Sequence, residues 1–194
     1  MTQPPAHGGL FGKLPARGDF VRLGLPGGFV APWDAWLQTV IPASRERLGP
    51  DWLPAWLEAP VWRFSLAAGL CGADAVMGVL LPSVDRVGRY FPLTLAVLPA
   101  RGGADAPDAW LDAAEAAGLV ALEQDASPEQ VAGMLPPAPA PGAAPATGSL
   151  WWTTGGPRVA ATRRACADLP DGETFAAMLS DLATAPPAQE GLPA

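Results

Sequence analysis

The chain has 194 residues, of which 24 are Pro and 22 are Gly, and 49% of it is apolar, with eight Trp and six Phe. That is enough for one packed core without a disulfide or metal staple, with part of the chain left to loops or tails. A formal net charge of −7 argues against nucleic-acid binding through a basic face, and with Lys13 the only lysine there is no polybasic stretch to hold an anionic lipid surface.

Residues 1–8 are expected to form a flexible N-terminus. They lack the cationic and continuous apolar regions of a secretory signal, so the chain is expected to stay in the reducing cytoplasm with its thiols free. Two short strand candidates follow, Leu10 to Leu14 and Asp19 to Leu23, separated by Pro15 and Gly18. After Pro26-Gly27-Gly28 the apolar residues Phe29, Trp33, Trp36, Leu37, Val40 and Ile41 share one helical stripe. Pro42 is expected to kink or end this helix, and Gly49-Pro50 to end it in any case. A short helix comes next, with Trp52, Leu53, Trp56 and Leu57 expected to face inward.

From residue 61 the apolar period changes from helical spacing to alternation. Trp62, Phe64 and Leu66 share one face of a half-buried strand, while Arg63 and Ser65 take the other. Residues 75–81 are almost wholly apolar and read as a central strand. Tyr90 to Leu98 alternates again, with Pro92 tolerable only near the strand's start or on an edge. Three strands joined by short links predict an antiparallel meander. The same stretch contains the most apolar window, Phe64 to Leu81, but Gly69, Gly72, Asp74 and Gly78 interrupt it, so it does not read as a membrane span.

A third helix is predicted from Pro107 through Ala121. Ser127-Pro128-Glu129-Gln130 has the spacing of a capping box with Pro at the first helical position, which starts a fourth. Residues 136–149, rich in Pro and Ala, read as a flexible linker or exposed loop. Leu150 to Thr153 returns as a short strand, and Asp171 caps a last helix carrying Phe175, Met178, Leu179 and Leu182. Residues 184–194 are expected to be disordered. The predicted architecture is a single α+β domain over residues 9–183, with a mainly antiparallel sheet covered by amphipathic helices.

Candidate chemistry is sparse. Gly8-Gly9-Leu10-Phe11-Gly12-Lys13-Leu14 superficially resembles a phosphate-binding loop, but only three residues separate Gly8 from Gly12 and Leu14 stands where Ser or Thr should follow the lysine. Arg17-Gly18-Asp19 matches an integrin-type tripeptide, a pattern too short to carry an argument. Gly18 is better read as a turn, with Asp19 satisfying nearby backbone donors. Two cysteines, Cys71 and Cys166, and one histidine, His7, fall short of a zinc ligand set. His7 is also poorly placed to serve as a catalytic base. No catalytic residue, metal or cofactor is expected.

Two features point to a binding surface instead. Trp151 and Trp152 are strand neighbours and must face opposite ways, so Trp152 can point outward or under another layer and anchor a partner. The segment 82–89 sets Ser83, Asp85, Arg86 and Arg89 between two apolar strands, either as a structural ion pair or as a recognition loop. The net acidic charge implies steering toward a basic partner patch.

Several stretches together resemble one family: Gly12-Lys13-Leu14-Pro15, Gly18-Asp19-Phe20-Val21, Trp33-Asp34-Ala35-Trp36-Leu37-Gln38, Ala59-Pro60-Val61-Trp62-Arg63-Phe64, Pro82-Ser83-Val84-Asp85-Arg86-Val87-Gly88-Arg89-Tyr90-Phe91-Pro92-Leu93-Thr94 and Ser149-Leu150-Trp151-Trp152. The chain is similar to the TagF (ImpM) family of type VI secretion accessory proteins. That resemblance implies a cytoplasmic, non-enzymatic, post-translational repressor of secretion-system assembly, with the system's forkhead-associated (FHA) domain protein as partner. The residues expected to contact it are Asp19, Ser83, Asp85, Arg86, Arg89 and Trp152. A small-molecule or nucleotide-binding regulator using Lys13 and the 82–89 loop is the alternative.

Overall fold

The structure, a computed structural model, describes residues 8–99, 107–141 and 144–181. His7, Leu182 and the expected tail lie outside them. Seven strands form one sheet in the order β2-β1-β5-β4-β3-β6-β7, with every pairing antiparallel. The strands are β1 (Gly9–Gly12), β2 (Val21–Leu23), β3 (Trp62–Leu66), β4 (Val76–Leu81), β5 (Leu93–Val97), β6 (Ser149–Thr153) and β7 (Thr162–Cys166). The predicted meander is β3–β4–β5.

Helices cover both faces. On one lie α1 (Gly27–Leu48), α2 (Trp52–Leu57) and α5 (Gly172–Leu179); on the other lie α3 (Pro107–Glu123) and α4 (Pro128–Met134). This is the predicted α+β architecture, built in three layers. It explains why β4 and β5 are buried along their whole length: each face of these central strands meets a helix layer. Gly78 marks their close approach, since a Cβ there would stand 2.3 Å from the carbonyl oxygen of Leu95.

The core on the α1 side is aromatic. Trp33 lies 4.8 Å from Phe64, 4.7 Å from Trp36 and 6.0 Å from Trp151 between ring centroids, stacking nearly parallel on the last. Its indole N–H donates to the buried Thr94 hydroxyl at 2.9 Å, as a buried Trp requires. Trp52 and Trp56 stack on each other and are buried as expected. Leu53 and Leu57, expected inside, are exposed: a helix of six residues can bury one narrow face, and the two indoles with Ala55 occupy it.

Helix α1 does not end at Pro42 but runs through it, and through Pro32, to Leu48. Its buried face continues past the proline as Val40, Ile41 and Ser44, and α5 packs along it. That burial offsets the backbone bonds lost at the two prolines. The predicted caps are present. Ser127 and Gln130 exchange hydrogen bonds at the start of α4, and Asp171 accepts from the Thr174 N–H at 2.8 Å at the start of α5. Strand β7 was not expected, because Thr162-Arg163-Arg164-Ala165-Cys166 has none of the apolar alternation of the inner strands. Within 136–149, Ala138 and Pro139 are buried and Trp110 donates to the Pro136 carbonyl at 3.2 Å.

Cys71 and Cys166 are both free. Burial, with the Asp168 carboxylate adding to it, pushes the Cys71 thiol up to about 11, so it stays protonated and inert at neutral pH. A colorimetric thiol titration at pH 7.5 should therefore leave Cys71 unlabelled in the native protein and label it after denaturation. Rapid native labelling of Cys71 would show that this part of the core opens.

Candidate functional site

The β1–β2 connection and the β4–β5 connection lie side by side at one end of the sheet, joined through a buried ionic centre. Lys13 Nζ donates to Asp85 Oδ2 at 2.6 Å, with the two side chains 4% and 0% exposed. Arg89 Nε donates to the same oxygen at 2.7 Å. The other carboxylate oxygen, Oδ1, accepts from the backbone N–H groups of Val87 at 3.0 Å and Arg89 at 2.9 Å. Burial alone would raise the Asp85 pKa, but the hydrogen bond from Lys13 and those from Arg89 and Val87 outweigh it and hold the carboxyl well below the usual carboxylate range.

Further bonds tie the two connections together. The Ser83 hydroxyl donates to the Lys13 carbonyl at 2.8 Å, the Arg86 backbone N–H to the Arg17 carbonyl at 3.1 Å, and the Arg89 guanidinium to the Gly18 carbonyl. Trp56 donates to the Ser83 carbonyl at 3.2 Å, fixing the loop to α2. Gly12 sets the direction of the chain into Lys13. Its φ is +131°, and a Cβ there would meet the Pro92 carbonyl oxygen at 2.0 Å. Gly12→Ala should therefore destabilise the protein by on the order of 2–3 kcal/mol, read as a fall in the chemical-denaturation midpoint; an unchanged midpoint would show that β1 and the 82–92 connection can separate cheaply.

What the frame holds outward differs from what it consumes. Ser83 and Asp85 are buried and committed within the chain. Lys13 is equally committed: besides Asp85 it faces the Phe20 ring at 4.3 Å, so it does not serve as a phosphate-cradling lysine. Phe20 itself is 52% exposed and is propped edge-on against Phe91 at 4.8 Å. Val87 is 67% exposed. Asp19, Arg86 and Arg89 are exposed, and Asp19, expected to satisfy backbone donors, makes no hydrogen bond among the described residues. The Leu14–Arg17 turn is closed instead by the Arg17 N–H to the Leu14 carbonyl at 3.0 Å.

Five of the six sequence-chosen residues thus gather at this end of the sheet. Trp152 does not. It sits in β6, half-buried on the α3 face, with the Arg163 guanidinium over its ring at 5.5 Å, while Trp151 is fully buried on the α1 face. Sequence reasoning missed Phe20, Val87 and the structural role of Lys13. A single lysine set in an apolar strand was the available signal, since a buried ammonium requires a counter-ion. Among the described residues no group of three or more His, Cys, Asp or Glu is placed to hold a metal ion, and no helix is long and apolar enough to cross a membrane.

Comparison with known proteins places this arrangement. None of the curated proteins matches the chain. The structure of PA0076 from Pseudomonas aeruginosa PAO1 superposes with a TM-score of 0.78 at 37% sequence identity, covering 96% of this chain and 100% of that one. The family described as TagF N-terminal domain, type VI secretion system-associated, matches residues 9–136, a span that holds both connections and their ionic centre. The chain therefore belongs to the TagF family of type VI secretion system-associated proteins.

Proposed function

We propose that the chain is a non-enzymatic, cytoplasmic accessory protein that represses type VI secretion after translation by binding the system's FHA-domain protein through the paired connections. The observation that carries this reading is the buried Lys13–Asp85–Arg89 centre. It spends every reactive-looking side chain of the 82–89 loop on rigidity, and what remains outward is an aromatic ring, an aliphatic side chain and arginines. Such a surface suits recognition: a rigid, partly apolar patch with charged neighbours binds without the ordering cost of a mobile loop. Family membership supports the secretion-system setting.

Isothermal titration of the FHA-domain protein from the same secretion system into the full chain tests this. Wild type should bind. The double variant Phe20→Ser/Val87→Asp should lose at least about tenfold in affinity, as when an interface anchor is truncated, while it stays folded with a modestly lower melting temperature from the lost Phe20 contacts to Phe91 and Lys13. Full-strength binding by this variant would move the interface elsewhere. The nucleotide-regulator reading has no observation in its favour, since Lys13 is held by Asp85.

A further inference from the structure

The whole chain is acidic, but the end of the sheet that carries the paired connections is not. Beside Phe20, and running along β2, lies an open cleft of about 450 Å³ whose lining includes Arg17, Arg22, Arg86, Asp19 and Glu129. Arg17, Arg22 and Arg86 are all exposed, and Arg89, with its side chain 59% exposed, stands on the same connection as Arg86. The nearby Lys13 and Asp85 cancel each other. Three arginines in the lining, with Arg89 nearby on Asp85, therefore outnumber the two carboxylates of the cleft, the reverse of the sign of the whole chain.

Two further observations give the cleft a shape preference. Strand β2 is an outer strand, hydrogen-bonded to β1 alone among the described strands, so its outer backbone edge offers pairing to an extended chain. Phe20, at the mouth of the cleft, is held in place by Phe91 and by the ammonium beneath it. A fixed ring beside an open edge provides a pocket wall for one apolar side chain of an added strand. Arg17 stands in the β1–β2 connection, Arg22 in β2 with its guanidinium donating to the Leu25 carbonyl at 3.3 Å, and Arg86 in the β4–β5 connection, while Asp19 and Glu129 share the lining. Cations drawn from three separate elements suit single carboxylates along a peptide; one doubly charged phosphate needs several donors aimed at the same place.

We propose that this cleft docks an extended, Asp/Glu-rich segment of a protein partner, which pairs with the outer edge of β2, sets its carboxylates against Arg17, Arg22 and Arg86, and packs one apolar side chain on Phe20. The proposal deepens the function proposed above and takes its partner from that reading. It reverses the expectation from net charge: the partner's contact segment is acidic, and Asp19 and Glu129 are this chain's carboxylates within the contact.

The test measures association rates and affinities of the full chain for the FHA-domain protein at low and high salt, together with fluorescence anisotropy of labelled peptides alternating Glu with Val and, as a control, Lys with Val. Arg17→Glu/Arg86→Glu should slow association with the FHA-domain protein about tenfold at low salt and flatten its salt dependence. Asp19→Asn should tighten binding, because it removes a repulsive carboxylate. Arg163→Glu, at the opposite edge of the sheet, should change nothing. Wild type should also bind the Glu/Val peptide and ignore the Lys/Val peptide. Arginine reversals without effect, a preference for the Lys/Val peptide, or a loss confined to Arg163→Glu would each overturn the proposal. Arginine-dependent binding of the Glu/Val peptide without any binding of the FHA-domain protein would uphold the cleft while refuting that partner. Binding of neither probe would refute both.

Discussion

Asp85→Ala is expected to lower the melting temperature by about 10 °C, among the largest effects of any single substitution in this chain. The carboxylate accepts from Lys13, from the Arg89 guanidinium and from two backbone N–H groups. Its removal leaves an ammonium only 4% exposed with no opposite charge, and it unties the turn at residues 85–89. Lys13→Met should cost much less, because Arg89 and the backbone donors still hold the carboxylate. Lys13→Met/Asp85→Leu should recover much of the stability lost in Asp85→Ala, since no buried charge is left alone. Thermal unfolding followed by circular dichroism distinguishes these cases. If the Asp85→Ala melting temperature matches wild type, the centre does not hold the connections together.

The same centre predicts a pH signature. The Asp85 carboxyl titrates below its ordinary value in the folded chain, so the folded state holds its proton less tightly than the unfolded state. Its contribution is therefore complete above the unfolded value of about 4 and is lost as pH falls through the lower folded value. The gap in melting temperature between wild type and Asp85→Asn should be constant from neutral pH down to about pH 5 and narrow below about pH 4. A gap that stays constant into strong acid would mean that the carboxyl is not ionised when folded.

Trp33→Ala is expected to cost about 3–5 kcal/mol from the lost ring and the cavity it leaves. The ring is fully buried among Phe29, Trp36, Phe64 and Trp151, where helix α1 meets the middle of the sheet. Loss of the N–H donor also strands the buried Thr94 hydroxyl, which adds to the penalty. Trp33→Phe keeps part of the packing and should cost less. Adding Thr94→Val to Trp33→Phe should then be neutral or restoring, because the orphaned hydroxyl is gone. Denaturant midpoints give the order. A Trp33→Ala variant within about 1 kcal/mol of wild type would mean that the aromatic cluster repacks around the gap.

Much of this architecture is legible in the sequence because burial imposes periods. Trp62, Phe64 and Leu66 alternate with Arg63 and Ser65 because β3 has a covered face on each side with unequal burial, and the caps at Ser127 and Asp171 follow from spacing alone. Strand β7 is illegible for the complementary reason: an edge strand carrying an exposed Arg163 and a half-buried Arg164 has little apolar alternation to show. Pro42 does not end α1 because local propensity loses to the packing of α5 against α1. The ionic centre was half visible. Asp85 and Arg89 share a loop, but their third partner, Lys13, lies 72 positions away, and no spacing rule brings it there. Phe20 and Val87 were missed because an exposed apolar side chain in a loop is unremarkable until the frame that holds it rigid is known.

Hydrogen exchange of the chain, alone and with the FHA-domain protein of its secretion system, tests the central claim most directly. The account predicts that binding slows exchange over residues 13–23 and 82–91 and leaves β6, β7 and the exposed side of α1 as they were. Protection appearing around Trp152 and β7, with 13–23 and 82–91 unaffected, would contradict it.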